Sequence, residues 1–269
     1  MQLIGLDVGF SEKRRSSGLA VLCDGAVQVG RASSESASRL ALLGEVTAAA
    51  VTAIDAPLLA TLDARIRPCE RLFARGRFQR RCKAGFSHVK GTGFGLRCAG
   101  SEAASQLARV TSEARLETPF PRMRGDQNMV EAFPNAFLGV CVDTEKYSAM
   151  PKLKRGRKFD WLYDTWCEQG SFEAIVEMLG QPVPKALGPR CLETRNHDER
   201  AALVCLLTAA AVALGAYTAI GEPEGGYLFL PPLTFWSEWA RVEVATQRLA
   251  DPSIEVWIDG RIFRAGETM

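Results

Sequence analysis

Residues 3–9 read LIGLDVG, an apolar segment that meets an acid at Asp7. Its apolar side chains alternate along the chain, which predicts a β-strand. A second apolar segment, residues 18–23, is joined to residues 26–30 by Asp24-Gly25, and Asp-Gly between apolar segments is a strong hairpin signal. The chain is therefore expected to open with three antiparallel strands.

Three more acids stand where an apolar segment ends or a helix begins. Asp55 closes the short β-branched segment at 50–55, Glu131 lies in a segment typical of a strand, and Asp198 precedes a long apolar run. A carboxylate among apolar side chains costs free energy unless something compensates its charge. Several such carboxylates on one sheet indicate a shared cation, and oxygen-only ligands favour Mg²⁺ or Mn²⁺.

The order of the predicted elements resembles that of the ribonuclease-H-like fold. This α/β fold has a mixed sheet of three antiparallel strands followed by parallel strands, with helices on both faces. After the three strands the sequence predicts a helix at 36–50, a strand at 50–55, a basic insertion at 59–98, a helix at 101–115, a strand at 129–133, helices at 159–168 and 172–179, a long helix from Asn196 and a strand at 226–230.

In that fold, acids lie on the first strand, at the end of the fourth strand and on the last helix. Those places hold Asp7, Asp55 and Asp198 in this chain. Glu131 would enter from the next parallel strand. All four are then expected to meet at the carboxyl edge of the parallel strands, where open α/β sheets place their sites.

Local motifs in the same order resemble one family, the predicted ribonuclease-H-like nucleases of the DUF429-type domain of unknown function. The motifs are GLD at 5–7, IDAP at 54–57, RPCER at 67–71, VEAFP at 130–134, AALVC at 201–205 and GGYLFLP at 225–231. The resemblance covers residues 2–232. One position departs from the family, which usually has Asp where this chain has Ala201. Asp198 lies about one helical turn earlier on nearly the same face and is the expected substitute.

The resemblance implies a metal-dependent nuclease. Asp7 and Asp55 would hold Mg²⁺ or Mn²⁺, Glu131 and Asp198 would complete the shell, and the ions would activate water and stabilise the leaving oxygen. Each acid also has a structural interpretation. Asp7 and Asp55 are then turn residues, Glu131 is paired with a basic residue of 65–97, and Asp198 favours the positive end of a helix.

The net charge of +2 is unevenly distributed. Residues 65–97 contain ten Lys and Arg against one acid, and residues 152–158 add five basic residues. This separation favours a polyanion partner over solvated loops, and the expected partner is nucleic acid, with DNA or RNA left open. Phosphate contacts are predicted for thirteen basic residues: Arg14, Arg15, Arg67, Arg71, Arg75, Arg77, Arg80, Arg81, Lys83, Lys90, Lys152, Lys154 and Arg155.

Two other functions stay open. A non-catalytic nucleic-acid-binding or scaffold protein on the same fold is favoured by the departure at Ala201, and metal-dependent cleavage separates it from the nuclease. An actin-like phosphotransferase is suggested by Asp7-Val8-Gly9, which resembles a phosphate-binding hairpin. That fold needs two related halves, and the sequence offers no second Asp-x-Gly strand pair of this kind.

Several features indicate a cytoplasmic protein. The N-terminus lacks the basic segment of a secretory signal, and the eight cysteines form no CxxC pair, so reduced thiols are expected. Cys69, Cys82 and Cys98 flank His88 without the spacing of a zinc site. The uncharged run at 201–221 is rich in Ala and predicts a buried central helix instead of a membrane span, so no membrane partner is expected.

The last part of the chain has a different character. Two domains are predicted, residues 1–232 and an appendage of residues 233–269, separated by Pro231-Pro232. The appendage combines a helix at 236–249 with an Asp-Gly hairpin at 254–263. An isolated hairpin is marginally stable in water, so the appendage must pack on the first domain or on another protein. Its Trp and Phe side chains favour association, as a homodimer or with a protein partner.

Overall fold

The computed structural model describes residues 1–59, 66–82, 92–122, 125–154, 156–263 and 267. The strands in these residues are β1 (Leu3–Asp7), β2 (Ser17–Cys23), β3 (Ala26–Ala32), β4 (Val51–Asp55), β5 (Met129–Ala132), β6 (Thr218–Glu222), β7 (Gly226–Leu230), β8 (Glu255–Ile258) and β9 (Arg261–Phe263). The α-helices are α1 (Ser36–Ala41), α2 (Pro68–Phe73), α3 (Gly76–Cys82), α4 (Thr92–Leu107), α5 (Pro134–Gly139), α6 (Thr144–Ser148), α7 (Lys158–Glu168), α8 (Ser171–Leu179), α9 (Leu187–Glu193), α10 (His197–Ala213) and α11 (Glu238–Ala250).

The described strands form one mixed sheet in the order β3-β2-β1-β4-β5-β7-β6-β8-β9. Strands β1, β2 and β3 are antiparallel, as predicted, and β1, β4, β5 and β7 run parallel to their neighbours in that part of the sheet. Strands β6, β8 and β9 continue the sheet in antiparallel fashion. The α/β class with antiparallel and parallel strands is therefore confirmed.

The two Asp-Gly turns have the backbone that their residues favour. Asp24 and Gly25 have φ values of 49° and 79°, and Asp259 and Gly260 have φ values of 48° and 82°. Two successive residues at positive φ match the tight hairpin turn whose twist fits the flanking strands. These turns join β2 to β3 and β8 to β9.

Helix α10 packs directly on the first strands because two strand glycines face it. A Cβ atom on Gly5 would lie 2.2 Å from the Leu206 backbone nitrogen, and one on Gly18 would lie 1.9 Å from the Asp198 carbonyl oxygen. A glycine in a strand interior marks such a close approach of backbone to backbone. The start of α10 is therefore fixed over the paired ends of β1 and β2.

The two faces of the first strands contact different helices. Leu3 and Ala53 belong to the hydrophobic cluster that contains α10. Ile4, Leu6 and Ile54 belong to a second cluster, which they share with Ala103, Ala104 and Leu107 of α4. Successive side chains of a strand point to opposite faces. Odd-numbered residues of β1 and β4 therefore face α10, and even-numbered ones face α4.

Several predicted boundaries differ from the structure. The helix predicted at 36–50 ends at Ala41. The helix predicted at 101–115 corresponds to α4, which begins at Thr92 and ends at Leu107. The apolar run at 201–221 is not one helix, because α10 ends at Ala213, Gly215 takes φ of 71°, and β6 follows. Among the described helices, none is long and apolar enough to cross a bilayer.

The C-terminal residues extend the same sheet. Strand β8 pairs with β6, and Val256 and Ile254 are buried in the core that contains α10. Trp239 of α11 is 5% exposed and donates an indole hydrogen bond to the Val142 carbonyl at 2.8 Å. Helix α11 and the paired strands β8 and β9 occupy this part of the chain. Their buried apolar side chains pack on the rest of this chain, which weakens the argument that they need another protein to cover them.

Candidate active site

Asp7 and Asp55 lie side by side at the carboxyl ends of two parallel strands. The register of β1 and β4 pairs the two residues directly. Neighbouring strands are about 4.7–4.9 Å apart, and directly paired residues point to the same face. Both side chains therefore project toward α10 from one edge of the sheet. Each keeps partial solvent exposure.

The two carboxyl groups have raised pKa values. Burial, then the charges of Asp55 and Asp198, hold the pKa of the Asp7 carboxyl well above its ordinary value. Burial and the charge of Glu131 raise the pKa of Asp55 to about 7. Negative charge is therefore gathered at this edge, and a bound proton or metal ion would relieve the repulsion.

Asp198 lies in the first turn of α10, on the side of β3. The Asn196 side chain caps this helix by accepting hydrogen bonds from the backbone N–H groups of Asp198 and Glu199. The Asp198 carboxylate forms a 2.8 Å ion pair with Arg31 of β3, which is paired with Gly18. Asp198 is near enough to influence Asp7, but its carboxylate already has one cationic partner.

Glu131 does not join the aspartate pair. The register of β4 and β5 pairs Glu131 with Ile54, whose side chain lies in the cluster on the α4 side of the sheet. Glu131 therefore points to the face opposite Asp55. There its two carboxylate oxygens accept hydrogen bonds from Arg67 at 2.7 and 2.8 Å, and one also accepts from the Leu58 backbone N–H at 3.1 Å.

The Arg67–Glu131 pair is a buried structural unit. Each side chain is 4% exposed, and Arg67 also contacts Glu70 at 2.9 Å. Burial raises the pKa of the Glu131 carboxyl, and the guanidinium of Arg67 opposes that shift. The alternative interpretation of Glu131, an ion pair with a basic residue of 65–97, is the arrangement found. The same geometry corrects the prediction that Glu131 completes a metal shell with Asp7.

Hydrogen bonds fix the backbone that follows Asp7. The Gly9 N–H donates to the Ser17 hydroxyl at 3.1 Å, and the buried Arg39 side chain donates to the Gly9 carbonyl and to the Ser17 hydroxyl, each at 3.2 Å. Arg39 also donates to the Gln106 side chain at 2.8 Å. The exit of β1 is therefore tied to α1, β2 and α4.

The thirteen predicted phosphate-binding residues fall into four groups. Arg67 is buried, which corrects its assignment, since a group inside the core cannot reach phosphate. Arg71 pairs with Asp251 at 2.6 Å, and the Arg81 guanidinium lies 4.6 and 4.3 Å from the ring centroids of Tyr147 and Trp239. The exposed members are Arg14, Arg15, Arg75, Arg77, Arg80, Lys152 and Lys154. Lys83, Lys90 and Arg155 lie outside the described residues, as does His88.

Other residues of the site were not predicted from the sequence. Arg31 and Arg39 act through tertiary contacts, and nothing in their local sequence indicates those contacts. The role of Gly5 and Gly18 could have been predicted from the sequence. Each interrupts an apolar strand, and a glycine in a strand interior often marks the close approach of another backbone.

No group of three or more His, Cys, Asp or Glu side chains is arranged to hold a metal ion in the part of the chain that the structure describes. The site therefore offers two paired carboxylates, with a third at the edge. Comparisons of the chain with family models, curated proteins and solved structures gave no match. The assignment of function rests on the geometry of this edge.

Proposed function

We propose that the protein is a metal-dependent nuclease that hydrolyses phosphodiester bonds of nucleic acid at the Asp7–Asp55 edge. The observation that carries the proposal is the direct pairing of these two aspartates on parallel strands, facing α10. The order β3-β2-β1-β4-β5 supports the ribonuclease-H-like assignment of this part of the fold. Membership of the DUF429-type family remains a prediction from the sequence motifs.

The donor set fits one hard cation. Mg²⁺ keeps several waters and is commonly held by one or two carboxylates together with substrate phosphate, and two paired aspartates meet that need. The raised pKa values of Asp7 and Asp55 support a cation at this place, because positive charge there would favour the ionised forms. Glu131 does not fit as a ligand, since both of its oxygens bind Arg67.

The chemistry follows from this arrangement. A bound Mg²⁺ or Mn²⁺ would polarise a phosphoryl oxygen and lower the pKa of a bound water. Asp7 and Asp55 would hold the ion and set its position relative to α10. Asp198, oriented by Arg31, lies at the margin of the pair and would accept a hydrogen bond from water or sugar hydroxyl there. Exposed Arg14 and Arg15, which follow β1, would contact substrate phosphate.

The proposal is tested by measuring metal binding and cleavage separately. Mn²⁺ should raise the melting temperature of the wild type, because a ligand that binds only the folded state stabilises it. Asp7→Asn and Asp55→Asn should remove both that shift and Mn²⁺-dependent cleavage of a labelled oligonucleotide. Asp143→Asn, at an exposed acid elsewhere, should retain both. Cleavage that persists in Asp7→Asn would refute the assignment.

A non-catalytic nucleic-acid-binding protein is the second candidate. It is favoured by the Arg67–Glu131 pair, which withdraws one acid from the predicted site, and by Ala201 at the position where the resembled family has Asp. This candidate predicts nucleic-acid binding that is independent of Mn²⁺, with no cleavage in Mg²⁺ or Mn²⁺.

A further inference from the structure

Two phenylalanines are exposed beside the carboxylate edge. Of the phenylalanines in the described ranges, Phe10 and Phe94 alone are exposed, at 50% and 39%. An exposed aromatic ring leaves a large apolar surface in water, and a single one needs no explanation. Two such rings close together, next to a site proposed to act on nucleic acid, indicate a shared binding role.

Phe10 and Phe94 lie at the same corner of the molecule. The Cε1 atom of Phe10 lies 3.8 Å from the position that a Cβ atom would occupy on Gly95, the residue after Phe94. The Phe10 ring therefore rests against the first turns of α4. Because Gly95 has no side chain, the ring lies close to the helix without being covered.

This corner is close to Asp7 and its backbone is held in place. Phe10 follows Asp7 by three residues, which span at most about 10–11 Å. The backbone on both sides of Phe10 is tied down, since the Gly9 N–H donates to Ser17 and the Ser11 N–H donates to the Ser16 hydroxyl at 3.3 Å. Because the backbone is already ordered, binding costs less conformational entropy there, which favours affinity.

The chain segment that follows Phe10 is cationic. Residues 10–17 contain Lys13, Arg14 and Arg15, all exposed, and Glu12 is their only acid. Aromatic faces next to cations that track a backbone are the usual means of binding single-stranded nucleic acid, because every base offers a π-face. The bases of a duplex are already stacked on each other and do not present those faces.

We propose that Phe10 and Phe94 form a stacking platform for unpaired bases, and that Lys13, Arg14 and Arg15 hold the adjoining phosphates. The preferred substrate is therefore single-stranded nucleic acid. This inference rests on the proposed function, since it names the substrate class of the same edge. Binding at the platform should depend little on base sequence, because stacking does not distinguish bases by their hydrogen-bonding groups.

Fluorescence anisotropy with the full chain in EDTA tests the platform without cleavage. The probes are labelled single strands of about 12 nucleotides, as DNA and as RNA, and a duplex of equal length. Phe10→Ala and Phe94→Ala should each raise the Kd for single strands about 5- to 150-fold. Their effect on duplex binding should be smaller. Phe10→Tyr should restore binding, and Val242→Ala and Leu249→Ala, at exposed apolar residues of α11, should match the wild type.

Several outcomes would overturn the platform. They are wild-type affinity for single strands in both Phe→Ala variants, an equal loss of duplex binding, or no binding of any probe by the wild type. A smaller particle by light scattering in the Phe→Ala variants would also overturn it, because the rings would then cover another copy of the chain. Circular dichroism establishes that each variant is folded. Loss of single-strand binding in the Phe→Ala variants, with no Mn²⁺-dependent cleavage by the wild type, would support the platform and refute the hydrolysis.

Discussion

Glu131 accepts one hydrogen bond from Arg67 at each of its carboxylate oxygens, on the face of the sheet opposite Asp55. The pair joins β5 to the start of α2, and Arg67 also reaches the Gly225 carbonyl at 3.3 Å. The segment at 65–97, which is rich in basic residues, thus buries Arg67 in the core, as it does Arg97. From the sequence, Glu131 was predicted to bind a metal ion and Arg67 to contact phosphate. In the structure these two residues bind each other.

Removal of Arg67 should be strongly destabilising. Arg67→Ala leaves Glu131 buried without its cation, and breaking a buried ion pair in this way costs about 3–5 kcal/mol. The control is Arg77→Ala, because Arg77 is 54% exposed and 3.8 Å from Glu243, and such surface pairs are worth about 0–1 kcal/mol. Urea denaturation measures both. A loss below about 1 kcal/mol in Arg67→Ala would show that the pair does not stabilise the fold.

The placement of Asp7 and Asp55 followed from local patterns, whereas that of Glu131 did not. An acid that ends an apolar strand marks the strand's carboxyl end, and two parallel strands bring those ends together. The face on which Glu131 lies depends on the register between β4 and β5, and a shift of one residue reverses it. A long basic insertion separates these strands in sequence, so no turn sets their register.

The missed strand β6 has a similar cause. An apolar run of a few residues does not distinguish a buried strand from the end of a buried helix. Here the run at 201–221 contains both, and the change occurs around Gly215. The Asp-Gly turns were predictable because their signal is local and needs no tertiary contact.

The aspartate pair should make stability depend on pH. The pKa of Asp55 is raised to about 7 in the folded chain, above its value in the unfolded chain. At a pH between these two pKa values, the folded chain therefore binds more protons than the unfolded chain. The free energy of unfolding contributed by this group therefore falls as pH rises from about 4 to about 7, and levels off above that.

Asp55→Asn isolates this contribution. In EDTA at about pH 8, it should be more stable than the wild type by on the order of 1–3 kcal/mol, because no buried charge remains at position 55. At about pH 5 the difference should shrink. Urea midpoints across that range give the comparison, with Asp143→Asn as the control. Parallel pH profiles of Asp55→Asn and the wild type would contradict the raised pKa.

The contact between α10 and the first strands should tolerate no side chain at Gly18. A Cβ atom there would lie 1.9 Å from the Asp198 carbonyl oxygen, which is helix backbone and cannot move alone. Gly18→Ala should therefore cost about 3 kcal/mol or more and displace Asp198 from Asp7. Gly30→Ala is the matched strand control, since its Cβ would meet the flexible end of Leu42 at 3.3 Å. Equal urea midpoints for the two variants would count against the helix position.

Truncation after Leu233 should destroy the cooperative fold. It removes α11, β8 and β9 and exposes the edge of β6. Phe78 also loses its packing contact with Trp239, whose ring centroid lies 5.5 Å from its own. Trp239→Ala alone should cost about 3–5 kcal/mol, because a buried indole leaves a cavity. Leu249→Ala, at a side chain that is 72% exposed, should change stability by no more than about 0.5 kcal/mol.

Thermal melts and light scattering distinguish this expectation from association through the tail. The truncated chain should aggregate or melt without a transition, because its apolar core is opened. A truncated chain that melts cooperatively, keeps its response to Mn²⁺ and runs as a smaller particle than the intact protein would instead assign the tail to an interface between proteins. Trp239→Ala would then change the particle size and leave the melting temperature unchanged, whereas a core role for the tail requires the reverse.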